Sequence, residues 1–89
     1  MSAQYVLPQY LLLDRGSAER LRKMRWTYDI TLQNCAEALA IDVYTFLEKE
    51  RGRTKFEAAE FKALASLFDV APESLYVSLK EPQINGFLG

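Results

Sequence analysis

The sequence predicts an all-α fold, a compact domain of five short helices, and three observations support that prediction. Apolar residues recur at intervals of three and four, hydrogen-bond acceptors precede several of these stretches, and residues 17–79 show no strand-length alternation. Eighty-nine residues are too few for two independent cores. We therefore expect one helical domain over 17–79, a short apolar N-terminal extension over 1–16 and a C-terminal tail over 80–89.

The first three helices each begin at a residue suited to capping. Ser17 is the expected N-cap of the first helix, Thr31 of the second and Asp42 of the third. The apolar face of the second helix comprises Leu32, Cys35, Ala36 and Leu39. Gly52 follows the third helix, where its tolerance of a left-handed backbone favours termination.

Two further helices follow a basic loop, and both chain ends are apolar. The fourth helix is marked by Ala58, Phe61, Leu64, Ala65 and Phe68. Pro72 suits the first position of the fifth. In the segment 5–13, Pro8 excludes a central strand and leaves a short edge strand, an extended segment or a helical turn. The apolar ends pack either on the domain or on a second subunit.

Two charged residues occupy helix faces that are otherwise apolar. Arg25 follows Leu21 by four residues on the first helix, and Glu50 follows Phe46 by four on the third. Burial of an unpaired charge costs several kcal/mol per ion, so we expect Arg25 and Glu50 to pair with each other.

The composition excludes several kinds of chemistry. The chain has no histidine, and Cys35 is its single cysteine, so histidine-based catalysis, cysteine zinc sites and internal disulfides are excluded. The four glycines form no phosphate-binding loop. We expect no enzymatic activity, no cofactor and no metal. With no apolar run long enough for a bilayer and no basic leader, we expect a cytoplasmic protein that does not enter membranes.

The stretch from Leu21 to Tyr76 resembles the Cro and lambda-repressor-like (XRE-type) helix-turn-helix family. The matching residues are Leu21-Arg22, Met24-Arg25, Ile30-Thr31, Ala36-Glu37, Leu39, Ile41, Thr45-Phe46, Glu50-Arg51-Gly52, Leu64-Ala65, Val70 and Leu75-Tyr76. The resemblance implies a five-helix domain in which an arginine–glutamate pair, here Arg25 and Glu50, joins the first and third helices.

The same resemblance implies binding to double-stranded DNA as a homodimer, as in phage and bacterial repressors. The third helix would enter the major groove, with base-reading positions at Val43, Tyr44, Thr45 and Glu48. The expected phosphate contacts come from Gln33, Arg51, Arg53, Thr54 and Lys55. Although the net charge of the chain is −1, the segment 49–55 is a basic cluster, which is compatible with a local DNA-binding face.

Departures from the family pattern favour an alternative function. Leu32 stands where the family commonly has a phosphate-binding glutamine, Leu47 where a polar residue is usual, and Lys49 where an apolar one is usual. Either the third helix is rotated locally, or Leu47 packs on the N-terminal extension or a partner. The alternative is a protein-binding module, such as a phage-type inhibitor or antirepressor, that has lost DNA recognition. Its interface would draw on Trp26, Leu47, Tyr5, Tyr10, Phe87 and Leu88.

Overall fold

The computed structural model describes residues 7–80, which form five helices and one two-stranded antiparallel ribbon. The elements in chain order are β1 (Tyr10–Leu11), α1 (Arg15–Thr27), α2 (Leu32–Leu39), α3 (Val43–Glu50), β2 (Phe56–Glu57), α4 (Ala58–Leu67) and α5 (Pro72–Lys80). Helix is therefore the main structure of this part of the chain, as the all-α prediction requires. The residues Tyr5, Phe87 and Leu88 of the expected interface lie outside the described range. None of the helices within 7–80 has the length and apolarity to cross a bilayer.

The first helix begins earlier than predicted, and its N-cap is Asp14 rather than Ser17. The Asp14 carboxylate accepts a hydrogen bond from the Ser17 amide at 2.7 Å. Ser17 is fully buried inside α1, and its hydroxyl donates to the Leu79 carbonyl of α5 at 2.8 Å. The prediction of a Ser17 cap was wrong because the Ser17 hydroxyl donates its hydrogen bond to a carbonyl in the last turn of α5. The exposed Asp14 caps the amide of Ser17 instead.

The caps of α2 and α3 are those that the sequence predicts. Thr31 accepts from the Asn34 amide at 3.0 Å, and the Asn34 side chain accepts from the Thr31 amide at 3.0 Å. Asp42 accepts from the Thr45 amide at 2.7 Å. Ala40 ends α2 in the left-handed conformation, with φ of 59°, so that α3 begins after a turn of only three residues.

The N-terminal extension forms a short strand, which decides among the alternatives left open by Pro8. Tyr10 pairs with Glu57 and Leu11 with Phe56 in an antiparallel register. The sequence predicts an all-helical domain over 17–79, and the structure adds the two-residue strand β2 within it. Two residues are too few to show a period of two, and the pairing partners lie far apart in the sequence. The ribbon places the extension across the start of α4.

The core lies between α4 and the other helices. Phe56 packs edge-to-face against Phe46 and Phe61, with ring centroids 6.0 and 6.1 Å apart. The buried apolar residues of the described chain are Leu11, Leu13, Leu21, Cys35, Ala36, Leu39, Phe46, Phe56, Phe61, Leu64, Ala65, Phe68, Leu75 and Leu79. The extension thus contributes Leu11 and Leu13 to the same core as the helices.

Candidate nucleic-acid interface

The position of α3 is fixed by a buried ion pair near its C-terminal end. Arg25 Nε donates to Glu50 Oε2 at 2.8 Å, and Arg25 Nη2 donates to Glu50 Oε1 at 3.4 Å. Arg25 Nη1 also donates to the Ile30 carbonyl at 3.3 Å. The guanidinium of α1 therefore contacts both α3 and the turn that precedes α2. Both residues are buried, at 8% and 3% exposure. This is the pairing that helical spacing predicts, and its fork geometry fixes orientation as well as distance.

A second buried charge, Lys49, ties α3 to α4 and was not anticipated as a contact. Its ammonium lies 3.0 Å from Glu60 Oε1 and donates to the Lys55 carbonyl at 2.6 Å. Glu60 Oε1 also accepts from the Glu57 amide at 2.9 Å. The position that is usually apolar thus holds a lysine because α4 supplies a carboxylate in its first turn. Glu60 was the available signal in the sequence, as the only acidic residue in that turn.

The most exposed residue on the outer side of α3 is aromatic. Tyr44 is 69% exposed, while Val43, Thr45 and Glu48 are half-buried. The hydrogen bonds from Thr45 lower the pKa of Asp42 below its ordinary value of 3.8, so the cap remains ionised near neutral pH. The positions predicted to read bases therefore present a phenol, a methyl-bearing surface and a carboxylate beside a negatively charged cap.

Glu48 is partly neutralised by the loop that follows α3. Its carboxylate lies 3.6 Å from Arg53 Nη1, and its backbone carbonyl accepts from the Arg53 amide at 2.9 Å and the Thr54 amide at 3.4 Å. The loop therefore turns back along the last turn of α3. The Arg53 side chain remains 64% exposed, so a phosphate could replace Glu48 as its partner.

The loop presents cationic and hydroxyl groups on a constrained backbone. All four phosphate-binding residues predicted there are exposed: Arg51, Arg53, Thr54 and Lys55. Gly52 has φ of +80°, and a Cβ at this position would collide with the Leu13 carbonyl oxygen of the N-terminal extension. The Lys55 ammonium lies 4.6 Å from the centroid of the Tyr10 ring, a cation–π distance. The extension thus supports the loop at two points, which the sequence pattern did not indicate.

At the other end of α3, the N-terminal turn of α2 borders an open cleft of about 670 Å³. Gln33, Val43, Trp26 and the half-buried Leu32 line this cleft together. Gln33 is exposed, and its amide lies 3.3 Å from a carboxylate oxygen of Glu37. Gln33 thus lines the same cleft as Val43, a position predicted to read bases, while its side chain remains exposed.

The residues expected at a protein interface are dispersed. Trp26 on α1 is 61% exposed, and Tyr10 on the ribbon is 48% exposed. Leu47 is half-buried and borders a different cleft, which it shares with Leu13 of the extension. Leu47 thus lies beside the N-terminal extension, and Lys49 has the buried position. Among the apolar and aromatic residues Val43, Tyr44 and Leu47 of α3, Tyr44 is exposed and the other two are half-buried.

The remaining reactive group is buried. Burial raises the pKa of the Cys35 thiol to about 11, with a smaller lowering effect from Arg25 and a smaller raising effect from Glu50. Cys35 is an element of the core, as its place on the α2 stripe predicts. Within residues 7–80, no cluster of carboxylates and thiols has the arrangement of a metal site.

Comparison with family models, with curated proteins and with solved structures gives no match to this chain.

Proposed function

We propose that this protein is a small sequence-specific regulator that binds double-stranded DNA as a homodimer. The observation that carries the proposal is the outer side of α3 with its exposed Tyr44, held at its C-terminal end by buried charge contacts and followed at once by a cationic loop. The short turn from α2 to α3 supports a helix-turn-helix arrangement. Such a unit inserts its second helix into the major groove while neighbouring groups contact phosphates.

Each group of residues has a separate task in this proposal. Arg51, Arg53 and Lys55 contact phosphates, and these contacts set affinity and register without reading sequence. Tyr44 and Glu48 contact base edges, with Glu48 accepting from a cytosine amine. Release of Arg53 from Glu48 on binding would free both groups for DNA. A single helix reads few base pairs, so two protomers bind half-sites about 34 Å apart.

The rigid attachment of α3 matters because specificity depends on the direction of its side chains. The Arg25–Glu50 pair and the Lys49–Glu60 pair restrain the same helix end from two sides. Both pairs are sheltered from solvent, so salt screens them less than it screens phosphate contacts. Added salt would then weaken DNA binding without loosening α3.

A salt series on DNA binding tests the proposal. Duplexes are selected from a random library, and affinity is measured by fluorescence anisotropy at several salt concentrations. The double variant Arg51→Ala/Arg53→Ala should bind all duplexes more weakly and reduce the salt slope by about 1.8 for each bound protomer, at about 0.9 per phosphate. The matched control is Lys23→Ala/Lys62→Ala, which removes the same charge from exposed positions on α1 and α4. Equal losses in both double variants would contradict the assigned phosphate contacts.

A protein-binding module on this fold is the second candidate function. The exposure of Tyr44 and Trp26 favours it, because aromatic side chains commonly anchor protein interfaces. The acidic cap Asp42 and Glu48 on α3 are also unfavourable near phosphates. Failure of the wild-type protein to bind any selected duplex at low salt would support this candidate. Its partner should then lose affinity on Tyr44→Ala substitution, by at least tenfold for an anchor residue.

A further inference from the structure

A cleft of about 520 Å³ lies between α1 and the C-terminal end of α3. Its apolar lining consists of Leu13, Ala18 and Leu47, from the extension, α1 and α3 respectively. Its volume is within the range of sites that hold small molecules. Arg25 borders both this cleft and the one that contains Gln33.

The charged lining of this cleft is predominantly basic. It consists of Arg15, Arg22, Arg25, Arg51, Glu19 and Glu50. Arg25 and Glu50 neutralise each other, which leaves three arginines against one carboxylate, Glu19. All three arginines are exposed, and within residues 7–80 no carboxylate lies within ion-pairing distance of Arg15, Arg22 or Arg51.

We infer that this cleft binds a small organic anion, with a phosphate or carboxylate group held by the arginines and an apolar body on the aliphatic floor. Guanidinium groups match both headgroups through paired N–H donors. Charge complementarity selects an anion, and the partly covered Leu47 favours a ligand with an apolar part rather than a bare ion. This site does not require the proposed DNA-binding function.

Occupancy of the cleft is coupled to Trp26. The Arg22 guanidinium lies 5.5 Å from the Trp26 ring centroid, and Trp26 is the only tryptophan in the chain. A ligand that draws Arg22 into the cleft removes a cation from the indole face. Tryptophan emission therefore reports on the cleft although Trp26 does not border it.

Phenyl phosphate, inorganic phosphate and benzoate are suitable probes. Tryptophan emission and isothermal titration calorimetry are followed on the full chain without DNA. Phenyl phosphate or benzoate should bind at least tenfold more tightly than inorganic phosphate, and the tighter of the two identifies the headgroup. A tenfold ratio corresponds to about 1.4 kcal/mol, which contact with the Leu47 surface can supply. The inference would be overturned if neither phenyl phosphate nor benzoate saturated the protein, or if both bound no more tightly than inorganic phosphate.

Two variants separate a site from general attraction to a basic helix. Arg22→Ala should weaken the organic anion at least tenfold, whereas Lys23→Ala, which removes a neighbouring exposed charge outside the cleft, should change affinity less than twofold. Leu47→Ala should reduce the preference over inorganic phosphate while leaving inorganic phosphate binding unchanged. Equal losses in Arg22→Ala and Lys23→Ala would overturn the inference. Circular dichroism checks that each variant is folded.

If the proposed DNA binding is correct, the site also provides regulation, because Arg51 belongs to both the cleft and the phosphate-binding loop. An anion that engages Arg51 would compete with a DNA phosphate and weaken DNA binding. Failure of this competition would leave the anion titration unaffected, so the two ideas are tested separately.

Discussion

Substitution of Glu50 by alanine should strongly destabilise the protein. Arg25 is 8% exposed, and its guanidinium has two donors directed at Glu50, so the variant leaves this group with only the Ile30 carbonyl at 3.3 Å. Loss of one partner of a buried pair costs about 3–5 kcal/mol. Domains of this size are stable by about 5–15 kcal/mol, so this is a large fraction of the total.

Urea denaturation followed by circular dichroism and by Trp26 emission measures this cost. The control is Glu48→Ala, which removes a carboxylate from the same helix whose partner Arg53 is largely exposed at 3.6 Å. This control should change the free energy of unfolding by less than about 1 kcal/mol. Each kcal/mol corresponds to roughly 4–8 °C in melting temperature for a domain of this length.

A double substitution keeps the reasoning testable if Glu50→Ala does not fold. Arg25→Met/Glu50→Leu removes both charges and leaves no unpaired ion, so its stability should lie within about 1–2 kcal/mol of the wild type. If Glu50→Ala unfolded at the same urea concentration as Glu48→Ala, the assignment of a buried, mutually dependent pair would be refuted. A double variant as unstable as the single one would show that packing, rather than the unpaired charge, accounts for the loss.

Two further substitutions test the backbone near α3. Gly52→Ala should destabilise the fold by about 2–3 kcal/mol, because φ is +80° and the new Cβ meets the Leu13 carbonyl. Gly16→Ala, a matched change inside α1 with only ordinary contacts, should be neutral or stabilising in the same melts. Asp42→Ala should lower the melting temperature at pH 7. The folded-state pKa of Asp42 lies below 3.8, so its stabilising effect is complete above that value and is lost as the pH falls through the lowered pKa. The gap between Asp42→Ala and the wild type should therefore close in melts below about pH 4, and a constant gap would contradict the capping role.

The Arg25–Glu50 contact could be predicted from the sequence because each residue shares an apolar face with its own helix neighbours. A residue four positions after a core residue lies above it on the same helix, so its burial follows from local geometry. Two such charges can be buried together only if they pair. The caps at Thr31 and Asp42 follow from equally local contacts, each to an amide three residues further on.

The loop after α3 shows where this local reasoning ends. The sequence shows which residues of this loop are cationic, but it does not predict which groups they contact. Arg53 turns back to Glu48, and Lys55 lies over Tyr10, through contacts that depend on the path of the loop and on the ribbon. The anion cleft likewise joins residues of the extension, α1 and α3, and no single helix pattern indicates it.

The sequence by itself determined the five helices found within residues 7–80, where most of them begin, and which two charges are buried between α1 and α3. These features depend on contacts within one or two turns, which a period of 3.6 residues fixes. The tertiary structure alone decided that Ser17 faces α5, that Lys49 turns inward to Glu60, and that the N-terminal extension pairs with β2. Each of these depends on a partner far away in the sequence, and only the packed chain determines which distant group satisfies a buried hydroxyl, ammonium or backbone amide.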